Sequence, residues 1–185
     1  MKVSVLTASV GGYRLPMLEE AIASVVAQTH GNHEHLIGMD ESRLGAGQVL
    51  NHLLGVADGE YIMVLDDDDL LDADHLELLV PHCEDADVVY SMPRVVGGNW
   101  EGYTRSFSSE RLASMNCVSH NALLRTDLVR EIGGWDNIKQ FDWDLFKRLD
   151  EAGAKFRQLD GITSWTYRLH GDNWSRGGLL KEPVA

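Results

Sequence analysis

The chain has 185 residues, 44% of them hydrophobic and 24% charged, and a formal net charge of −13. That length and balance fit one soluble domain able to bury a full core. The negative charge argues against a general electrostatic footprint for nucleic acid or an anionic membrane, but it allows a small anionic ligand bridged by a divalent metal.

Taken in order, Val3 to Thr7 reads as a short β-branched strand, and Ala8-Ser9-Val10-Gly11-Gly12-Tyr13-Arg14 as a loop able to bring its backbone to a ligand. Pro16 opens a helix whose apolar stripe is Leu18, Ile22, Val25 and Val26, ending by Gly31-Asn32. His35 to Met39 is a second strand closing on Asp40, and a helix from Ala46 to Ala57 leads to the run Tyr61 to Leu65. That run has the length and β-rich composition of a strand buried on both faces. Asp72 is placed to cap a helix through Leu76, Leu79 and Val80 that stops near Pro81, and Val88 to Met92 is the next strand.

This alternation predicts an α/β fold with a largely parallel sheet, and such sheets bind ligands beyond the carboxyl ends of their strands. Ser9, Asp40 and Asp66 to Asp69 fall at such ends. The second half is less regular. It has an aromatic, glycine-rich hairpin or loop from Gly97 to Phe107, a strand from Asn121 to Arg125 and a short helix from Asp127 to Ile132. A firm helix from Asp142 to Ala152 follows, then strands Lys155 to Leu159 and Ser164 to Leu169, and a polar tail from His170.

The run Asp66-Asp67-Asp68-Asp69 is the chemical centre of this pattern. Two carboxylates about 4 Å apart repel by roughly 4 kcal/mol at an effective dielectric near 20. At the end of a buried strand they therefore need a cation, backbone donors or solvent. Strand alternation would send Asp66 and Asp68 one way and Asp67 and Asp69 the other. Carboxylate oxygens in such a place suit Mg²⁺ or Mn²⁺, which complete their octahedron with water and phosphate oxygens. The plainer alternative is a solvated acidic loop with one aspartate capping the next helix. An EF-hand is excluded because Leu70 and Leu71 replace the fifth ligand and the required glycine, and Gly45-Ala46-Gly47 lacks the third glycine of a dinucleotide fingerprint.

Four stretches resemble the GT-A-fold glycosyltransferases, above all the large inverting family 2. The start Val3 to Thr7 with "IASVVAQTH" is similar to that family's "S-L-x-Q-T-Y" helix end, and "HLIGMDES" to its "I-I-V-D-D-G-S" strand end. "ADGEYIMVLDDDDLL" resembles "A-x-G-E-Y-I-x-F-L-D-x-D-D", and "IGGWDNIKQFDWDLFKRLDEAG" resembles "I-G-G-F-D-x…E-D-W-D-L-W-L-R-L-x-x-x-G". With "YRLHGDNWSR" near the end, the likeness covers nearly the whole chain, in the right order and spacing.

The resemblance implies one compact GT-A domain over residues 1–185, with a Rossmann-like mixed sheet whose first half, 1–92, binds a nucleotide sugar and whose second half, 93–185, carries the acceptor side. It implies a nucleoside-contacting Asp40 with Ala8 and Ser9 beside it. Asp66 and Asp68 take the positions of a DXD motif that holds Mn²⁺ or Mg²⁺. Asp68 is the direct ligand, Asp66 lies nearer the ribose and a metal-bound water, and Asp67 stands behind the pair in the same nucleotide-sugar site. His170 joins the metal or the diphosphate, and Asp142 is the general base. The implied reaction moves a hexose from a nucleoside-diphosphate sugar, UDP first among them, to an acceptor hydroxyl with inversion.

The chemistry suits these roles: a divalent cation stabilises a departing diphosphate, and a carboxylate at a helix start stays ionised and takes a hydroxyl proton. Phe141 stands where the family has glutamate before the base, and Leu50 where it often has arginine before Asn51. Two other readings stand beside this one. Phe141 favours a non-catalytic nucleotide-sugar-binding or assembly module of the same fold. A nucleotidyltransferase is disfavoured because Arg14 is the sole cation in the loop after the first strand.

The remaining candidates divide between function and structure. His30, His33, His35, His75 and His82 read as surface or packing residues, and Trp135 and Trp143 as either an acceptor platform or core. Arg168 and Arg176 either meet diphosphate or balance the acidic surface. Cys83 and Cys117 give neither a disulfide framework nor a zinc spacing and read as free thiols of a cytoplasmic protein. No apolar run approaches the roughly 20 residues of a membrane span, and the N-terminal stretch is too interrupted for a secretion signal. A homodimer is left open.

Overall fold

The computed structural model describes residues 1–98, 106–136, 138, 140–171 and 173. Seven strands form one mixed sheet: β1 (Val3–Ser9), β2 (His33–Met39), β3 (Tyr61–Val64), β4 (Leu70–Leu71), β5 (Val88–Val96), β6 (Leu123–Arg125) and β7 (Phe156–Arg168). Their order across the sheet is β2-β1-β3-β6-β5-β7-β4. The helices are α1 (Leu15–Val26), α2 (Ala46–Val56), α3 (His75–Leu79), α4 (Ser109–Ser114), α5 (Thr126–Glu131) and α6 (Phe141–Glu151).

Parallel pairing holds for β1 with β2 and β3, as the alternating pattern predicts. It breaks where β6 enters antiparallel between β3 and β5, which the pattern of the first ninety residues could not show. The two strands expected over 155–159 and 164–169 are one strand, β7, and Gly161 within it takes φ 75, a left-handed conformation that glycine adopts without strain. β4 and α4 are additional to the sequence expectation. Pro81 does not simply stop α3: it opens the second position of a 3₁₀ turn over Val80–His82.

β3 is central and buried throughout, and its side chains alternate between two cores. Ile62 and Val64 face one packed by Leu50, Leu53, Leu145 and Phe146 from α2 and α6. Tyr61, Met63 and Leu65 face the other, with Val25 of α1 and Leu76 and Leu79 of α3. At roughly 25 cal/mol per Å² of buried apolar surface, this two-sided burial fixes the register, because a one-residue slip would exchange the faces. The "IGGWD" stretch has a structural part: Gly134 takes φ 72 beside Asn51, and an added Cβ would meet Asn51 Oδ1 at 2.2 Å. The Asn51 amide grips the Trp135 backbone, Nδ2 donating to its carbonyl at 2.7 Å and Oδ1 accepting its N–H at 2.8 Å. Trp135 is 3% exposed, which removes it as an acceptor platform. Cys83 and Cys117 are free and buried. No helix among the described residues is long and apolar enough to cross a membrane.

Candidate functional site

The aspartates follow β3 as a turn rather than as more strand. β3 ends at Val64, and the Asp69 N–H donates to the Asp66 carbonyl at 3.2 Å. The alternation expected for an extended chain is therefore lost. Carboxylate oxygens of Asp66, Asp68 and Asp69 lie within 4.8 Å of one another, so Asp69 joins the group and Asp67 turns away from it.

Asp67 faces β1. Ser9, the last residue of that strand, donates its hydroxyl to Asp67 Oδ2 at 2.5 Å, and its Oγ accepts from Gly11 N at 3.1 Å. Ala8 and Ser9 thus belong to β1, not to a loop, and pair in register with Gly38 and Met39. Arg14, 5% exposed, spans two aspartates with Nη1, reaching Asp67 Oδ1 at 3.0 Å and Asp68 Oδ2 at 2.6 Å. Burial opposes the guanidinium charge, but Asp68 and Asp67 more than restore it and raise its pKa. Burial pushes Asp67 up to about 6 against the Ser9 hydrogen bond and the Arg14 charge.

Asp68 Oδ2 also receives His170 Nε2 at 3.0 Å and Asn173 Nδ2 at 3.4 Å. Asp69 is 1% exposed; its Oδ1 accepts from Arg168 N at 3.0 Å, while Oδ2 has no partner among the described residues. Burial, then Asp66 and Asp68, hold its pKa well above the usual carboxylate range. A buried, unpartnered carboxylate oxygen grouped with two others suits a hard divalent cation. The Arg168 side chain braces this turn, donating Nε to the Asp68 carbonyl and pairing Nη1 with Glu20. Arg176 lies outside the described residues, as do residues 99–105 of the aromatic loop.

Asp40 sits where β2 ends and is 8% exposed. Its two oxygens accept from Leu44 N at 2.7 Å and Gly45 N at 2.9 Å, so it shapes the loop into α2, and its own N–H donates to the Ser9 carbonyl at 2.7 Å.

Asp142 lies in the first turn of α6, its side chain 27% exposed. Asn116 donates to its Oδ2 at 2.9 Å, and Asn116 is itself held by accepting from Val118 N at 3.1 Å. Asp142 Oδ1 accepts no hydrogen bond among the described residues. Asp144 points elsewhere and pairs with Arg148 one turn on, at 2.8 Å. Trp143 is half-buried, its indole N–H given to the Leu112 carbonyl at 2.7 Å.

His120 links the two sides. Its Nε2 lies 3.0 Å from Asp66 Oδ1, and its Nδ1 lies 4.0 Å from Asp142 Oδ2. Burial disfavours charge on this ring, but Asp66, Asp142 and Asp69 outweigh it and raise its pKa to about 9. Reciprocally, Asp66, whose side chain is 46% exposed, is partly desolvated within the site, and the charge and hydrogen bond of His120 outweigh this and hold it below the usual carboxylate range.

The sequence pattern groups Asp66, Asp68 and His170 and sets Ser9 beside Asp40; in the structure His170 meets Asp68 and Ser9 meets Asp40, while the Ser9–Asp67 hydrogen bond is additional. The sequence pattern missed Arg14, Asn116, His120 and Asn173 as site residues. His120 is the one with a signal, a lone imidazole in "CVSHNALL" just before a buried strand.

A mixed α/β sheet with an acidic turn beyond its central strand, and His120 and His170 packed against that turn, has the architecture of a GT-A glycosyltransferase domain. The family model described as glycosyl transferase family 2 matches residues 35–135, and the chain belongs to that family. It is 30% identical over 165 residues to a chondroitin synthase of Pasteurella multocida strain Pm70, covering 82% of this chain and 16% of that protein. The chain thus spans about a sixth of the curated relatives it matches.

Among solved structures, Staphylococcus aureus TarS in complex with UDP-GlcNAc aligns with TM-score 0.76 at 17% identity, over 95% of this chain and 61% of that one. The mannosyltransferase PcManGT of Pyrobaculum calidifontis, in complex with GDP-Man and Mn²⁺, aligns with TM-score 0.65 at 15% identity, over 88% and 56%.

Proposed function

We propose that this chain is the catalytic domain of a metal-dependent glycosyltransferase that moves a hexose from a nucleoside-diphosphate sugar, UDP-linked, to an acceptor hydroxyl with inversion. The observation that carries this reading is the convergence of Asp68, Asp69, Asp66 and His170 on one side of His120, with Asp142, whose Oδ1 accepts no hydrogen bond among the described residues, on the other. Relatives in solved structures hold UDP-GlcNAc and GDP-Man with Mn²⁺, which supports a nucleotide-sugar donor.

Asp66, Asp68 and Asp69, with His170 beside them, would hold Mn²⁺ or Mg²⁺, and that ion supplies Lewis-acid stabilisation of the departing diphosphate. Asp40 shapes the loop that receives the nucleoside, beside Ala8 and Ser9, and Asp67 fixes the turn through Ser9 and Arg14. Asp142 removes the acceptor proton through Oδ1, while Asn116 holds Oδ2. One base and one displacement give inversion at the anomeric carbon.

The test is release of nucleoside diphosphate from a panel of UDP- and GDP-sugars with Mn²⁺ and acceptor extracts. Asp68→Ala is expected to weaken Mn²⁺-dependent UDP binding at least about tenfold. Asp142→Ala should leave that binding within about twofold while turnover falls about 10²- to 10³-fold. Phe141, in the place of the family's glutamate, favours a second reading as a binding module. Tight donor binding with no turnover by any donor would establish that one instead.

A further inference from the structure

We propose that His120 is a positioning residue that bridges the donor-side Asp66 to the base Asp142, holding the proton-accepting carboxylate in fixed relation to the donor. The inference rests on the reading of Asp142 as base in the preceding section.

Four observations carry it. The two ring nitrogens address carboxylates from separate parts of the chain: Nε2 reaches Asp66 on the turn after β3 at 3.0 Å, and Nδ1 lies 4.0 Å from Asp142 in the first turn of α6. The side chain is 11% exposed, so the ring cannot swing into solvent without opening the site. The Phe141 ring lies beside the imidazole in a T-shaped arrangement, centroids 6.2 Å apart with planes at 79°. Asn116 donates to the same Asp142 oxygen that His120 faces, so both contacts lie on the Oδ2 side and Oδ1 is left for the acceptor.

The residue at position 141 thereby acquires a reason. Next to the base the chain has an aromatic wall for the imidazole, where a glutamate would add another carboxylate to a crowded acidic site. The tie between donor site and base then runs through His120. A position error of about 1 Å between reacting groups can cost about 10²-fold in rate, which gives such a bridge its value.

The experiment is a pair of double-mutant cycles read by urea denaturation without metal, joined to steady-state kinetics. Asp66→Asn and Asp142→Asn are each made in the wild-type and in the His120→Ala background. Each is expected to shift the urea midpoint by a different amount in the two backgrounds, because each carboxylate loses a contact with the imidazole only where the imidazole is present. Coupling to Asp66 with Asp142 strictly additive would overturn the bridge. Should His120→Ala fail to fold, His120→Gln serves in its place, its amide able to reach Asp66 but not both carboxylates.

In kinetics with the fastest UDP-sugar of the panel, His120→Ala is expected to lower kcat at least about tenfold, with a smaller change in donor KM. His120→Gln should restore Mn²⁺-dependent UDP affinity but not kcat. Equal recovery of both by glutamine would assign His120 a purely structural role. The two failures differ: full turnover in Asp142→Asn removes the base and leaves the stability coupling, whereas additive stability with turnover lost in Asp142→Asn removes the bridge and leaves the base.

Discussion

The turn after β3 and the first turn of α6 both put aspartates at the site, and they hold them in opposite ways. On the turn, Asp67, Asp68 and Asp69 are 7%, 6% and 1% exposed, and they are tied down by Arg14, His170, Asn173 and Arg168 from distant parts of the chain. On α6, Asp142 keeps 27% of its side chain open and is fixed by Asn116 at one oxygen. Grouped carboxylates lose hydration together and need cationic partners drawn from elsewhere in the fold. Asp142, proposed above as the base, stands at a helix start with one donor. Charge density distinguishes the acidic turn from the start of α6.

The sharpest way to break this comparison is to remove the buried cation. Arg14→Ala leaves Asp67 and Asp68 facing each other without it and is expected to cost about 3–5 kcal/mol of stability. Saturating Mn²⁺ should recover part of that loss, measured by urea denaturation with and without the ion, since a ligand bound to the folded state stabilises it. An identical loss with and without Mn²⁺ would mean that the ion does not share the charge of this turn.

On the base side the expected effect is smaller and lies in rate. Asn116→Ala should lower kcat about tenfold, the value of about one charge-assisted hydrogen bond, with donor KM within about twofold. A change confined to donor KM would instead place Asn116 on the donor side.

A third effect belongs to neither region but to the core between β7 and α3, and it shows only at acid pH. His75 is fully buried, and burial holds its pKa down to about 4. A folded pKa below the unfolded value near 6.5 means that its stabilising neutral form is fully present above 6.5 and is lost as pH falls towards 4. His75→Gln should therefore flatten the acid limb by about 2 kcal/mol at pH 4.5, read from urea midpoints across that range. An unchanged acid limb would locate it in the carboxylates.

Much of the fold was legible because apolar patterning reports burial directly. Ile62 and Val64 on one face of β3, with Tyr61 and Met63 on the other, give the continuous run that only a doubly covered strand carries. α2 and α6 were legible within about a residue at each end, from their apolar stripes. The antiparallel insertion of β6 was not, since a three-residue strand with two buried leucines, Leu123 and Leu124, fits either direction and the choice is made by pairing with β3 and β5.

Within the candidate site, Asp68 and His170 were paired in advance and stand 3.0 Å apart. Asp69 was misplaced because a turn, not strand alternation, orients it. Of the two readings open for Trp135, the structure selects core: its ring is buried and its backbone is clamped by Asn51.

The sequence by itself determined the strand-and-helix order, the acidic turn at the end of the central strand and the family likeness, because each depends on residues close together in the chain. Only the tertiary structure decided which aspartates lie close enough to share an ion, which arginine lies between them and how the acidic turn meets Asp142. Arg14, His120 and Asn116 reach their partners across 53, 54 and 26 positions. Contacts of that range leave no periodic trace in the chain; they exist because folding brings buried charges within reach and burial makes leaving one unpaired costly.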